Sequence, residues 1–269
     1  FHEFGHGLHH MLSRVPQAQL SGINGVEWDA VEMPSQFMEN WAWNYDTLKT
    51  LSAHVDTGEV LPKELFDKML AAKNFQSGMF CLRQLEFALF DLRIHDDDST
   101  DHADDFQSVL DNVRKEVAVV PAAEYSRFAQ SFAHIFAGGY SAGYYSYKWA
   151  EVLSADAFSA FEEEGLFNPA TGKRWVDEVL SRGSSRDAIE NFRAFRGRDP
   201  SIEPLRPKKT AATSRDAAVL LDQGCGASVP NTSCQSLRTA RRSSATLSGS
   251  TRQRTSSPWA RRISRWMLR

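Results

Sequence analysis

His2-Glu3-Phe4-Gly5-His6 puts two imidazoles four positions apart, with a carboxylate beside the first. On a helix, positions i and i+4 lie one above the other on the same face. Two imidazoles so placed reach a single tetrahedral zinc ion, at about 2.0–2.1 Å each. Glu3 is then set to take a proton from a zinc-activated water rather than to bind the metal. Chance yields H-E-x-x-H in about one chain in a hundred of this length, from ordinary residue frequencies. The competing reading is a solvated helix with two surface histidines, and that reading calls for no further ligand.

Catalytic zinc usually has three protein ligands and one open position. The segment from Val31 to Asn40 offers two carboxylates, Glu32 and Glu39, seven positions apart. On one helix they would share a face about two turns apart. One could bind zinc while the other orients a ligand imidazole, and spacing does not choose between them. Alone, the segment also reads as an amphipathic helix with solvated acids.

A second constellation lies far downstream: His134, Gly138-Gly139-Tyr140, then Tyr144, Tyr145 and Tyr147. Peptide hydrolysis builds an oxyanion on the former carbonyl, which needs donors aimed at it. Tyrosine hydroxyls and a histidine N–H can supply them, and adjacent glycines permit a mobile backbone. The alternative is an aromatic core stripe, since Tyr144 and Tyr147 are i,i+3 neighbours.

Helices must position these groups. Phe1–Leu12 reads as the first, and Ala30–Leu51 as the second, with Pro34 tolerated in its first turn. Leu61–His95 is the longest periodic stretch, with Leu65, Met69, Ala72, Met79, Leu82, Leu85, Leu89 and Leu92 at helical spacing. Glu124–Ile135, Tyr144–Glu164, Trp175–Arg182 and Arg186–Phe195 complete the set, with Gly183 as a cap between the last two. No segment alternates with a period of two, so the expected fold class is all-α. The acidic run Asp96–Asp105 reads as a solvated loop, because it lacks the turn glycine and terminal glutamate of an EF-hand.

The 269 residues are 42% hydrophobic, enough for a core and against wholesale disorder. No apolar run approaches the roughly 18 residues that span a bilayer, and no signal peptide is visible. Three cysteines are too few for a disulfide scaffold and suit a reducing compartment. The formal charge of −3 hides an asymmetry. Residues 206–269 carry 13 basic and 2 acidic side chains, a net of +11, so the preceding residues carry −14. That switch predicts a boundary: a folded part at 1–204 and a basic, Ser/Arg-rich, disordered tail at 205–269. Charge alone would support a nucleic-acid arm, but basic tails bind polyanions nonspecifically, so no specific nucleic-acid partner is expected.

Three segments together resemble the thimet oligopeptidase family of zinc metallopeptidases. They are Phe1 to His10, Val31-Glu32-Met33-Pro34-Ser35-Gln36-Phe37-Met38-Glu39-Asn40-Trp41, and Ala137-Gly138-Gly139-Tyr140-Ser141-Ala142-Gly143-Tyr144-Tyr145-Ser146-Tyr147. The wording is closest to the bacterial members, through Ser21–Gly25 and Lys63–Asn74. The resemblance runs to about residue 204 and implies a helical, zincin-type catalytic domain with one zinc per chain. It implies His2, His6 and Glu32 as ligands, Glu3 as general base, and Glu39 as the acid behind a ligand. It places His134, Tyr140, Tyr144 and Tyr147 at substrate-contacting and oxyanion-stabilising positions. It further implies a cytoplasmic, monomeric enzyme, without membrane attachment, that cleaves short unstructured peptides inside a channel. A peptidyl-dipeptidase of the same family, or an inactive zinc-binding fragment, are the alternatives. Family members carry a long N-terminal helical part that forms the other channel wall. The sequence from Phe1 onward is therefore expected to be a C-terminal catalytic fragment. Its basic tail matches nothing in the family and reads as a frame shift or fusion.

Overall fold

Helix starts and stops in this chain follow local chemistry, and they cut the long periodic stretches into shorter pieces. The structure, a computed structural model, describes residues 1–96 and 106–205. Among these the elements are helical, and no strand occurs. The basic stretch 206–269 and nearly all of the acidic run Asp96–Asp105 lie outside the described residues.

The first helix, α1, spans His2–Met11. The expected second helix over Ala30–Leu51 is divided. It comprises α2 (Trp28–Val31), α3 (Met33–Glu39), a 3₁₀ turn (Asn40–Trp43) and α4 (Tyr45–Leu51). Pro34 has no N–H to continue a helix from upstream, so α3 restarts around it. Asn44 is extended, and its side chain accepts from Thr47 N at 2.9 Å, which caps α4.

The stretch Leu61–His95 is likewise two helices, α5 (Lys63–Ala72) and α6 (Ser77–His95). They are separated by Gln76 in the left-handed region at φ 53°. Its apolar stripe is largely solvent-facing: Leu65, Met69, Met79 and Leu92 are exposed, while α6 buries Glu86, Ala88, Phe90 and Asp91. Helix α7 (Phe106–Val117) occupies a stretch to which sequence reading assigned no element, although Leu110 and Val113 mark its buried face. Glu124–Ile135 resolves into two single turns, α8 (Phe128–Ser131) and α9 (Ala133–Phe136).

Helix α10 (Ser146–Glu164) is the central element. Its small residues Ala150, Ala157 and Ala160 are fully buried, which lets neighbouring backbones approach closely. Pro169 opens α11 (Pro169–Glu178), capped by Asn168 through Ala170 N at 2.9 Å. A 3₁₀ turn at Leu180–Arg182 leads to α12 (Ala188–Arg196). Between them Gly183 has φ 51°, and a Cβ there would lie 2.0 Å from Leu20 O, so only glycine fits.

Two apolar clusters result. The first joins α3, α10, α11 and α12 around Phe37, which stacks on Trp175 with centroids 4.1 Å apart and meets Trp41 and Phe161 edge-on. The second joins α6, α7, α8 and α9 around Phe90, Leu110, Phe132 and Ile135. Asp156, fully buried on α10, accepts from Arg196, Arg198 and Ser201 N, pinning the chain beyond α12. No described helix is long and apolar enough to cross a membrane.

Candidate metal centre

Helix α1 is glycine-containing where it touches α3. A Cβ on Gly5 would lie 2.5 Å from Pro34 O and 2.6 Å from Ser35 Cα, so larger side chains are excluded. This contact brings the α1 face bearing His2 and His6 against the start of α3. Glu32 sits at the α2–α3 junction, 2% exposed. Its Oε2 lies 3.3 Å from His2 Nε2 and 3.2 Å from His6 Nε2. One ligand atom from each of His2, His6 and Glu32 lies within 4.8 Å of the others, as metal ligands do.

The two carboxylates left open by spacing have different places. Glu32 is buried at the junction. Glu39, at the end of α3, stands behind His2, whose Nδ1 donates to Glu39 Oε1 at 2.7 Å. That bond leaves His2 Nε2 as a lone pair facing a carboxylate oxygen, an arrangement that suits a cation between them. Nδ1 of His6 is buried without a partner.

Ser35 donates to Glu32 Oε2 at 2.9 Å, and Tyr140 donates to Glu32 Oε1. Burial alone would raise the Glu32 carboxyl. Hydrogen bonds with His6, Tyr140 and Ser35 outweigh it and hold the carboxyl at about 2. The same bond to Glu32 raises His6, against the opposing effect of burial. Glu3 is exposed beside this cluster, and its charge acts on both His6 and Tyr147.

Tyr140 reaches this centre from the loop before α10. Its ring stacks on Tyr147 at 5.0 Å and leans on Trp28 at 4.5 Å. His134, on α9, is exposed, and its ring centroid lies 6.1 Å from Tyr140, 5.7 Å from Tyr144 and 6.2 Å from Tyr147. The structure therefore gathers all four downstream residues, although the Tyr144 ring is buried in the second apolar cluster. Tyr144 donates to Gln84 Oε1 at 3.2 Å. Burial raises the Tyr140 and Tyr147 hydroxyls and pushes Tyr144 up to about 12, so all three stay protonated near neutral pH.

Several neighbours of the centre were not found by sequence reasoning. Ser35 holds Glu32, Trp28 supports Tyr140, and Gln36 donates to the carbonyl of Tyr147 at 3.0 Å. Ser35 alone had a local signal, three positions after Glu32. A recess of about 740 Å³ lies elsewhere, between α6 and the segment after α7, and none of these residues lines it.

The profile of Peptidase family M3 matches residues 1–210. Oligopeptidase A of Escherichia coli is 58% identical over 205 residues, covering 76% of this chain and 30% of that protein. Organellar oligopeptidase A of Arabidopsis thaliana is 50% identical over 209 residues, covering 76% and 26%. Dipeptidyl carboxypeptidase of Escherichia coli is 38% identical over 208 residues, covering 76% and 30%. The chain thus spans about 30% of the length of these curated relatives. The matched residues take in the His2–His6–Glu32 cluster and the tyrosine loop, and the chain belongs to peptidase family M3.

Proposed function

We propose that this chain is the catalytic part of a zinc-dependent oligopeptidase that hydrolyses short, unstructured peptides. The observation that carries the reading is the convergence of His2 Nε2, His6 Nε2 and Glu32 Oε2. Two imidazoles and one carboxylate are a donor set suited to catalytic zinc, with one position left open. His2, His6 and Glu32 hold one zinc per chain. When bound, zinc supplies Lewis acidity toward a water and the peptide carbonyl.

Glu3 takes the proton of the attacking water and passes it to the leaving amine. Its exposure keeps its carboxylate available for that exchange. Glu39 fixes the tautomer and orientation of His2 through the Nδ1 bond. Ser35 and Tyr140 hold the Glu32 carboxylate in its ionised, ligand form. Tyr147 and His134 line one side of the centre as donors toward the charge that develops on the carbonyl oxygen, and Tyr140 and Tyr144 join them when their single O–H turns from Glu32 and Gln84 to the substrate. Their raised hydroxyls fit a donor role rather than a basic one. A cytoplasmic, monomeric protein acting on peptides is the setting that fits this reading.

A second reading within the family is release of C-terminal dipeptides, favoured by the identity to dipeptidyl carboxypeptidase. Incubation of the purified chain with a defined peptide and mapping of products tests both. Internal cleavage, abolished in Glu3→Gln, supports the oligopeptidase. Release of C-terminal dipeptides alone supports the second reading. No cleavage by the unmodified, zinc-loaded chain leaves only a zinc-binding fragment.

A further inference from the structure

The tip of the loop that carries Tyr140 is not held by apolar packing, although Tyr144 beyond it is buried in the second apolar cluster. Tyr140, Ser141 and Ala142 are exposed or half-exposed, and Ala142 lies in the left-handed region at φ 53°. A non-glycine residue there costs on the order of 1 kcal/mol and persists only when its surroundings impose it. What imposes it is on α6. Asp91 is 0% exposed and turns both carboxylate oxygens to this loop. Oδ1 accepts from Ala142 N at 2.8 Å, and Oδ2 accepts from Tyr144 N at 2.8 Å. His95, one turn along α6, places Nδ1 3.0 Å from Oδ1 and closes the cluster from the solvent side. Phe90, next to Asp91 on α6, and Phe132 belong to the apolar cluster on this side of the molecule.

A buried carboxylate with two backbone N–H donors is a stiff tether, because each bond is charge-assisted. It clamps the turn between Tyr140 and Tyr144. We propose that Asp91 is a positioning residue: by accepting from Ala142 N and Tyr144 N it sets where Tyr140 stands relative to Glu32. The proposal deepens the peptidase reading above and rests on it for its effect on turnover. Its effect on the loop does not depend on that reading.

An isosteric change isolates the tether. Asp91→Asn keeps the shape but replaces one acceptor oxygen with an NH₂ that faces an N–H donor. The control is Asp156→Asn, an equally buried carboxylate on α10 that does not touch the loop. Both variants of the full 269-residue chain are compared with the unmodified protein. The readouts are zinc content, amide exchange resolved to residues 139–147, and kcat and KM on a peptide that the unmodified chain cleaves. In the unmodified chain, Ala142 and Tyr144 amides should be protected by about 100-fold or more over free exchange, despite lying in a loop. In Asp91→Asn, that protection should fall at least about tenfold, zinc content should hold, and kcat should fall about tenfold or more with KM changed less.

Unprotected Ala142 and Tyr144 amides in the unmodified chain would overturn the proposal without any variant having to fold. So would equal loss of loop protection in Asp156→Asn, or intact protection in Asp91→Asn. Altered exchange with unchanged kcat in a chain that does cleave peptides would overturn the link to catalysis. If the unmodified chain cleaves nothing, the peptidase reading fails, and the exchange comparison still decides whether Asp91 holds the loop.

Discussion

His2 and His6 stand on a helix whose backbone touches the start of α3, beside Glu32 at the α2–α3 junction, whereas Tyr140 stands on a loop whose tip is held by the Asp91 carboxylate. On the metal side, Gly5 lets α1 lie directly against Pro34 and Ser35. Behind it, Phe37 is locked between Trp175, Trp41 and Phe161. On the tyrosine side, the loop tip depends on hydrogen bonds from Ala142 N and Tyr144 N to the Asp91 carboxylate, and from Ser141 Oγ to Ile135 O at 2.6 Å. The difference fits the two tasks proposed for these residues. Metal ligands must hold a fixed geometry, and close packing gives it. Groups that meet a substrate and then release product are better placed on a segment that can shift.

The comparison can be broken from either side. The largest effect belongs to Glu3→Gln, which should keep zinc and lower the peptide-cleavage rate by about 10²–10⁴-fold. Side-by-side metal analysis and rate measurement check it, and a normal rate would remove Glu3 from the mechanism. Next comes Phe37→Ala in the core behind the centre. Loss of its aromatic contacts should lower unfolding free energy by about 3–5 kcal/mol in denaturant titration. A loss below about 1 kcal/mol would mean that this packing does not support the metal side.

His9 gives a pH test of the same helix. It is buried on α1, and burial, with His10 and His6 adding repulsion, lowers it from 6.5 to about 4. The unfolded chain therefore binds a proton that the folded chain refuses between those values. Stability is complete above about pH 6.5 and falls as pH drops toward 4, by up to about 3 kcal/mol for this one group. His9→Leu should flatten that part of the unfolding profile, and a profile that overlays the unmodified chain would contradict the assignment. The smallest effect is Glu39→Ala. Losing the bond to His2 Nδ1 should weaken zinc binding by about 10–100-fold without abolishing it, as read by competition with a chelator.

Local chemistry was legible in the sequence, and contacts across distance were not. The four-residue step from His2 to His6 needs only a helix, and α1 supplies it. The helical class followed from periodicity for the same reason. The choice between Glu32 and Glu39 was not legible from spacing, because a continuous helix was assumed where Pro34 restarts one. That break is what puts Glu32 in the buried junction while Glu39 swings behind His2. Asp91 was hidden altogether. It reads as one of several polar residues along α6, and its partners lie 51 and 53 positions away. The stripe from Leu65 to Leu92 misled in the opposite sense, since periodicity marks an apolar face without saying what covers it.

Zinc per chain, measured on protein purified without added metal and beside its Glu32→Ala variant, tests the central claim most directly. The account predicts about one zinc in the unmodified chain and its loss in Glu32→Ala, because two imidazoles alone leave the site a ligand short. A metal-free unmodified chain, or an undiminished zinc content in Glu32→Ala, would contradict it.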